Sequence, residues 1–294
     1  MTILFLSLML SGTFALGISD VLRRKYLKDG LNDQALLVIT LFFTGVLLLP
    51  VLILVGLPEI KDGFWSAVAI TVFLNLISQN LFIRAFKFSE ASLIAPLRLI
   101  IPPLVILTGF LFLNERPSLT GIGGIFITMT GLWFLLGGGK HSEQQSRFLW
   151  LKDKGILYGL IGSVLFATSF PFDKIAVVQS SALFATFLIF TSLGLLTFLF
   201  NIIRERKFAF IVIESFTQHF KASGLISIFS SIGIVLTNQA LNYSLAAYAS
   251  SLKRLQALWT VIIAGKFLEE KEMGRRLLAS VLMFLGILLS VFWN

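Results

Sequence analysis

The chain has 294 residues, of which 56% are hydrophobic and only 13% charged, with a mean hydropathy of +0.91, more apolar side chain than a soluble domain of that length can bury. The formal charge of +9 would suit a nucleic-acid binder if the chain were soluble, but the basic residues gather in loops, so no nucleic acid is expected as a partner. Cysteine is absent, which excludes disulfides and thiolate chemistry, and His141 and His219 have no neighbours at metal-ligand spacing.

Ten apolar windows follow along the chain, at about 3–19, 35–57, 64–86, 91–113, 119–137, 155–172, 182–203, 222–243, 246–268 and 275–293. Each has the length that a bilayer core of about 30 Å demands of a helix. The first begins without a basic n-region and has no small-residue cleavage site before Asp20, so it reads as a retained helix, not a signal peptide. The expected fold class is therefore an all-α membrane protein with ten transmembrane helices.

Between windows five and six lies Gly137-Gly138-Gly139-Lys140-His141-Ser142-Glu143, polar and Gly-led, which has the character of a linker. It separates a first repeat (1–139) from a second (155–294), with 140–154 as a cytoplasmic connection. A gapless shift of 155 positions lays Ala85 on Ala240, Ser89 on Ser244, Leu97 on Leu252, Phe112-Leu113 on Phe267-Leu268, Glu115 on Glu270 and Gly131 on Gly286. The chain is thus read as a duplication, and five spans per copy make the copies inverted in the membrane around a central cavity.

The side that holds the loops after spans 1, 3, 5, 7 and 9 carries eighteen of the 24 basic residues, counting those at the span ends, whereas the opposite side carries Lys61, Arg116 and Lys174. The positive-inside rule makes the first group cytoplasmic and sends both termini outward. Small residues recur every four positions in span 6 (Gly155, Gly159, Ser163, Ala167) and span 5 (Thr120, Gly124, Thr128). Such stripes permit close helix approach, either within one bundle or at a homodimer face.

The remaining three of the 24, Arg98, Lys253 and Arg254, are read as intramembrane. The 155-residue shift places Arg98 on Lys253, each about 10 Å from one end of its helix at 1.5 Å per residue. A solute passing between spans 4 and 9 would meet a cation from either side, unless both side chains snorkel to lipid phosphates. Lys253, Gln256 and Thr260 share a helical face with Trp259 beside them, which favours Lys253 over Arg254 as the cavity residue. Span 3 presents Asn75, Ser78 and Gln79, and span 8 presents Ser231, Asn238 and Asn242. Amides at membrane depth must bond other helices or line a wet cavity. Asp20 and Asp173 are expected at helix ends, so no carboxylate is expected in mid-span, which argues against a pump for cations. Neither a P-loop nor a catalytic constellation occurs, so no cofactor is expected and the chain is not read as an enzyme.

The run Ala85-Phe86-Lys87-Phe88-Ser89-Glu90-Ala91 through Pro96-Leu97-Arg98, followed by Phe112-Leu113-Asn114-Glu115-Arg116-Pro117 and Gly121 to Gly131, resembles the repeat unit of EamA-type transporters in the drug/metabolite transporter superfamily. Ala240 through Ser244, Phe267-Leu268-Glu269-Glu270-Lys271 and Gly286 resemble a second copy. The resemblance implies a two-repeat basket in which spans 1, 3, 4, 6, 8 and 9 enclose a cavity while spans 5 and 10 are peripheral. The implied function is secondary transport of a small metabolite across the cytoplasmic (inner) membrane by alternating access. The solute is expected to be amino-acid-like or an organic anion, touched by Asn75, Gln79, Arg98, Asn238, Asn242, Lys253, Gln256 and Trp259. Two other readings are a flippase for a lipid-linked sugar or phospholipid headgroup, and a membrane receptor that transports nothing.

Overall fold

The computed structural model describes residues 2–28, 32–88, 97–135, 153–268, 281–286 and 289. Among them the regular elements are α1 (Thr2–Lys28), α2 (Asp33–Val46), α3 (Leu49–Val55), α4 (Phe64–Phe88), a 3₁₀ turn (Arg98–Ile100), α5 (Ile101–Leu113), α6 (Leu119–Leu135), α7 (Lys154–Val178), α8 (Ala182–Arg204), α9 (Phe208–Gln218), α10 (Phe220–Ala240), α11 (Ala246–Leu252) and α12 (Leu255–Leu268). A final helical turn covers 281–286. No strand is present among the described residues.

Local chemistry sets the helix starts. Asn32 Oδ1 accepts from the Gln34 and Ala35 amides at 3.0 Å each, Asp153 Oδ1 from Gly155 and Ile156, and Ser181 Oγ from Phe184. Each satisfies backbone donors that have no partner within the helix itself. Asp153 thereby starts α7 at Lys154, one residue inside the expected connection; the rest of that connection, 140–152, lies outside the described residues.

Six of the ten expected spans appear as helices long and apolar enough to cross a membrane: Ile3–Leu27, Asp33–Val55, Phe64–Ala85, Lys154–Val178, Ala182–Arg204 and Phe220–Ala240. Arg98–Leu113 and Leu119–Phe134 are shorter apolar helices. Span 9 is divided into α11 and α12, and most of span 10 lies outside the described residues. The amphipathic helix α9 between spans 7 and 8 was not anticipated, because eleven residues fall below a spanning window. Its Phe216 stacks on Phe43 of α2 at 4.9 Å, while Phe210 and Ile213 are exposed.

The packing exchanges the two repeats. α1 lies against α10 and α12, and α7 against α4 and α5, while α2 packs on α8. Span 1 on spans 8 and 9 is thus matched by span 6 on spans 3 and 4, the pattern a two-fold relation between copies produces. Where α1 crosses α10 the backbones nearly touch: a Cβ on Gly233 would sit 2.7 Å from the Gly12 carbonyl oxygen. The small-residue stripe of α7 faces inward, with Gly155, Gly159, Ser163 and Ala167 all buried. On α6, Thr128 meets Gly286 of the final helical turn. Both stripes therefore serve packing within one bundle.

Helix breaks inside the membrane leave backbone acceptors that other helices satisfy. Pro171 within α7 has no N–H to give the Ala167 carbonyl, which instead accepts from Thr108 Oγ1 of α5 at 3.0 Å. Where α2 ends, the Leu48 amide bonds Gly45 rather than Thr44. The freed Thr44 carbonyl accepts from Ser231 Oγ of α10 at 2.8 Å.

Candidate functional site

The sequence predicted continuous helices through Arg98 and Lys253, and both tighten there instead. In the first repeat the Ile101 amide bonds the Arg98 carbonyl, three residues back, and Pro102 and Pro103 open α5 without donors of their own. In the second the Gln256 amide bonds the Lys253 carbonyl at 3.3 Å. The 155-residue shift carries one bond onto the other. A short 3₁₀ stretch inside a helix is a common marker of a functional hinge, and paired interruptions at equivalent positions mark binding regions in duplicated transporters.

Around these turns five charged side chains gather. Arg98 lies over the Phe82 ring at 4.3 Å, interacts with the charge of Asp20, and keeps an exposed surface. Asp20 Oδ2 also accepts from Gln256 Nε2 at 2.6 Å and from Thr260 Oγ1 at 3.4 Å. Lys253 lies over the Phe170 ring at 5.4 Å and interacts with the charge of Asp173. Asp173 in turn accepts from Thr71 Oγ1 at 2.7 Å. Arg254 sits near enough to Arg98 for their charges to repel.

Both carboxylates lie off the middle of their helices, as expected, but within them rather than at their ends. Asp20 precedes the last two turns of α1 and Asp173 lies in the last two turns of α7, because each helix continues beyond its apolar window once a cation answers the charge. The shared face of Lys253, Gln256 and Thr260 is also corrected. Gln256 and Thr260 turn to Asp20 while Lys253 meets Asp173, since the 3₁₀ turn at 253–254 changes the helical phase between them.

The amides divide by partner. Asn75 accepts from Ser169 Oγ at 3.2 Å and Asn238 donates to Thr186 Oγ1 at 2.9 Å, so both join helices. Gln79 Oε1 is buried with no hydrogen-bond partner among the described residues. Asn242 was expected on the face of span 8, but α10 ends at Ala240 and Asn242 is exposed in the following turn. Trp259 donates from Nε1 to Thr13 Oγ1 at 3.2 Å and meets Phe14 edge-on.

A second polar cluster, which sequence reasoning missed, closes the end that carries the loops after spans 2, 4, 6 and 8. Glu115, 9% exposed, pairs with Lys174 Nζ at 2.5 Å and accepts the Ala246 amide at 2.7 Å. Lys174 also donates to the Ser244 carbonyl at 2.7 Å. Nearby the Ser118 amide donates to Tyr248 Oη, and the Lys61 amide bonds the Gln179 carbonyl. The signal was available, since the duplication matches Glu115 with a second glutamate at Glu270.

The family model of the EamA-like transporter family matches residues 3–137 and 153–292, one copy in each half. The chain belongs to that family. It is accordingly a two-repeat, multi-pass integral membrane protein of the drug/metabolite transporter type. A solved structure titled only as the crystal structure of a protein is similar in fold, with a TM-score of 0.74 at 13% identity over 98% of this chain and 97% of that one. No curated protein matches the chain. For an EamA member, the charged cluster lies where the first and fourth helices of both repeats converge.

Proposed function

We propose that this EamA member is a secondary transporter of the cytoplasmic membrane that moves a small polar metabolite, an amino-acid-like solute or an organic anion, by alternating access. The observation that carries the reading is the cluster of Asp20, Arg98, Asp173, Lys253 and Arg254 at paired 3₁₀ turns in the two repeats. Charges inside a bilayer are costly, and in transporters they mark the path. Arg98 and Lys253 flank the site. Gln79 offers an acceptor, its buried Oε1, which has no hydrogen-bond partner among the described residues. Asn75, Asn238, Asn242, Gln256 and Trp259 complete the expected lining, all but Asn242 through groups already engaged in contacts between helices. In the proposed cycle the halves rock about the two turns. The Glu115–Lys174 cluster holds the outer end closed while the basic-loop end faces the cytoplasm.

The test is solute counterflow in proteoliposomes with amino acids, organic acids and sugar phosphates. At least one class should exchange, and Arg98→Ala and Lys253→Ala should each slow it at least about tenfold, the loss of about 1.4 kcal/mol of transition-state stabilisation. Wild-type rates in both variants would sink the reading. For orientation, a cysteine introduced at Asn294 of this cysteine-free chain should react with an impermeant maleimide only from outside.

One observation favours a second reading, lipid translocation. An apolar crevice of about 760 Å³ opens between α1, α12 and the final helical turn, lined by Leu10, Phe14, Leu258, Trp259, Phe284 and Leu285. An acyl chain could stay there while a headgroup visits the cations. Movement of a fluorescent phospholipid across the same proteoliposomes, lost in Arg98→Ala, would select this reading over solute exchange.

A further inference from the structure

The helix α9 lies apart from the central cluster, and its residues sort onto three faces. Phe208 and Ser215 are buried against the bundle, with Val212 and Phe216 half-buried beside them. Phe210, Ile213 and Thr217, spaced three and four apart, are exposed, Phe210 at 68% and Ile213 at 62%. Glu214 and Gln218 form a third face, also exposed, and bond each other at 3.0 Å.

Aromatic contacts fix the depth of this helix. The Phe208 ring lies 6.3 Å from that of Phe198, which stands six residues, about 9 Å, before the end of α8 at Arg204. Phe216 stacks on Phe43 at 4.9 Å, ten residues, about 15 Å, into α2 from Asp33. α9 therefore lies level with the last turns of the spans rather than beyond them, and its exposed apolar face meets acyl chains. Its 11 residues reach about 17 Å, too short to cross a bilayer. An amphipathic helix so placed lies along the interface.

Both ends of that face carry cations. Arg204, Arg206 and Lys207 precede α9 and Lys221 follows it, all four exposed. Among the described residues none of the four engages a carboxylate or any other side-chain partner, and Glu214 is taken by Gln218. Free cations beside an apolar face match the two layers of a leaflet that contains anionic lipid, and each basic residue near such a surface is drawn to it. We propose that α9 is an interfacial helix and that Arg204, Arg206, Lys207 and Lys221 form around it a docking surface for the headgroups of anionic phospholipids. The proposal depends on the membrane setting and not on what the protein transports. Phe43 belongs to the first repeat and Phe216 to the second, so a lipid that anchors α9 also steadies a contact between the repeats.

Spin labelling of single cysteines in this cysteine-free chain tests the placement. In liposomes a label on Phe210→Cys should collide with dissolved oxygen more than with a chelated nickel reagent, and a label on Glu214→Cys should do the reverse. Melting of the full chain in nanodiscs tests the charge. With phosphatidylglycerol mixed into phosphatidylcholine discs, the melting temperature should rise by roughly 2–4 °C over phosphatidylcholine alone. Arg204→Gln, Arg206→Gln and Lys207→Gln together should remove most of that rise, whereas Arg116→Gln, on the opposite side, should keep it. If the triple variant does not fold, the wild type still decides: in about 1 M salt, where screening cuts the reach of a charge to about 3 Å, the difference between the discs should vanish. The proposal fails if the two discs give equal melting temperatures, if the rise survives the triple substitution or the salt, or if nickel reaches position 210 as readily as 214. Disulfide-linked dimers of Phe210→Cys would also overturn it, by assigning the face to a second copy of the chain.

Discussion

The turn at Arg98 and the turn at Lys253 are copies of one device, and their differences are instructive. Each puts a cation over a phenyl ring, Phe82 from span 3 in one case and Phe170 from span 6 in the other. Each cation interacts with a carboxylate on the first helix of its own repeat, Asp20 or Asp173. The first copy is tightened with prolines at 102 and 103, which cannot donate to the preceding turn. The second does so with Ala257 in the matching place and spends its variation on Arg254. Duplication preserved the backbone and one charge pair, and left the neighbouring position free to take on chemistry.

Breaking one pair in each copy gives the largest expected effect. Asp173→Asn removes the carboxylate beside half-buried Lys253 and should cost about 1–3 kcal/mol, read as a fall in melting temperature. Asp20→Asn should cost less, because Arg98 keeps an exposed surface that water can serve. Equal losses would mean that the two copies are equally enclosed. A cycle pairing Asp173→Asn with Lys253→Met should show coupling of about 0.5–3 kcal/mol, and additivity would sever the proposed pair.

Equivalent helix crossings sharpen the comparison at intermediate cost. Gly233→Ala pushes a Cβ to within 2.7 Å of the Gly12 carbonyl oxygen where α10 crosses α1 and should destabilise by about 1–3 kcal/mol. At the matching crossing of α4 and α7, a Cβ on Gly162 meets the Phe82 ring and the Ser78 carbonyl at 3.4 Å, so Gly162→Ala should be tolerated. Comparable unfolding midpoints for the two variants would show that the repeats pack alike after all. The smallest effect is expected at the proline break: Thr108→Val, which leaves the Ala167 carbonyl without its donor, should cost about 0.6 kcal/mol, the average for such bonds in a bilayer.

Much of this was legible before any coordinates. Hydropathy marks spans because lipid cannot satisfy exposed backbone, and the 155-residue shift exposes the duplication, the paired cations and the retained glutamate. The reading went astray where a window of hydropathy stops at the first charge. Asp20 and Asp173 were put at helix ends for that reason, and their helices run on past them by eight residues to Lys28 and five to Val178. Asn242 was put on a helix because apolar residues continue past Ala240, yet the chain turns there to begin α11. The shared face of Lys253, Gln256 and Thr260 assumed an unbroken helical phase from 253 to 260, which the tight turn does not keep.

Sequence by itself determined the membrane setting, the two copies and the identities of the central cations, since these depend on composition and on matches along the chain. Tertiary structure decided which charge answers which. Coulomb energy depends on distance and on the local medium, and residues as far apart in sequence as Asp20 and Gln256, 2.6 Å between their side chains, acquire a distance only when the helices pack. It is that packing which brings Lys253 to the charge of Asp173, across eighty positions of chain, and Arg98 to that of Asp20.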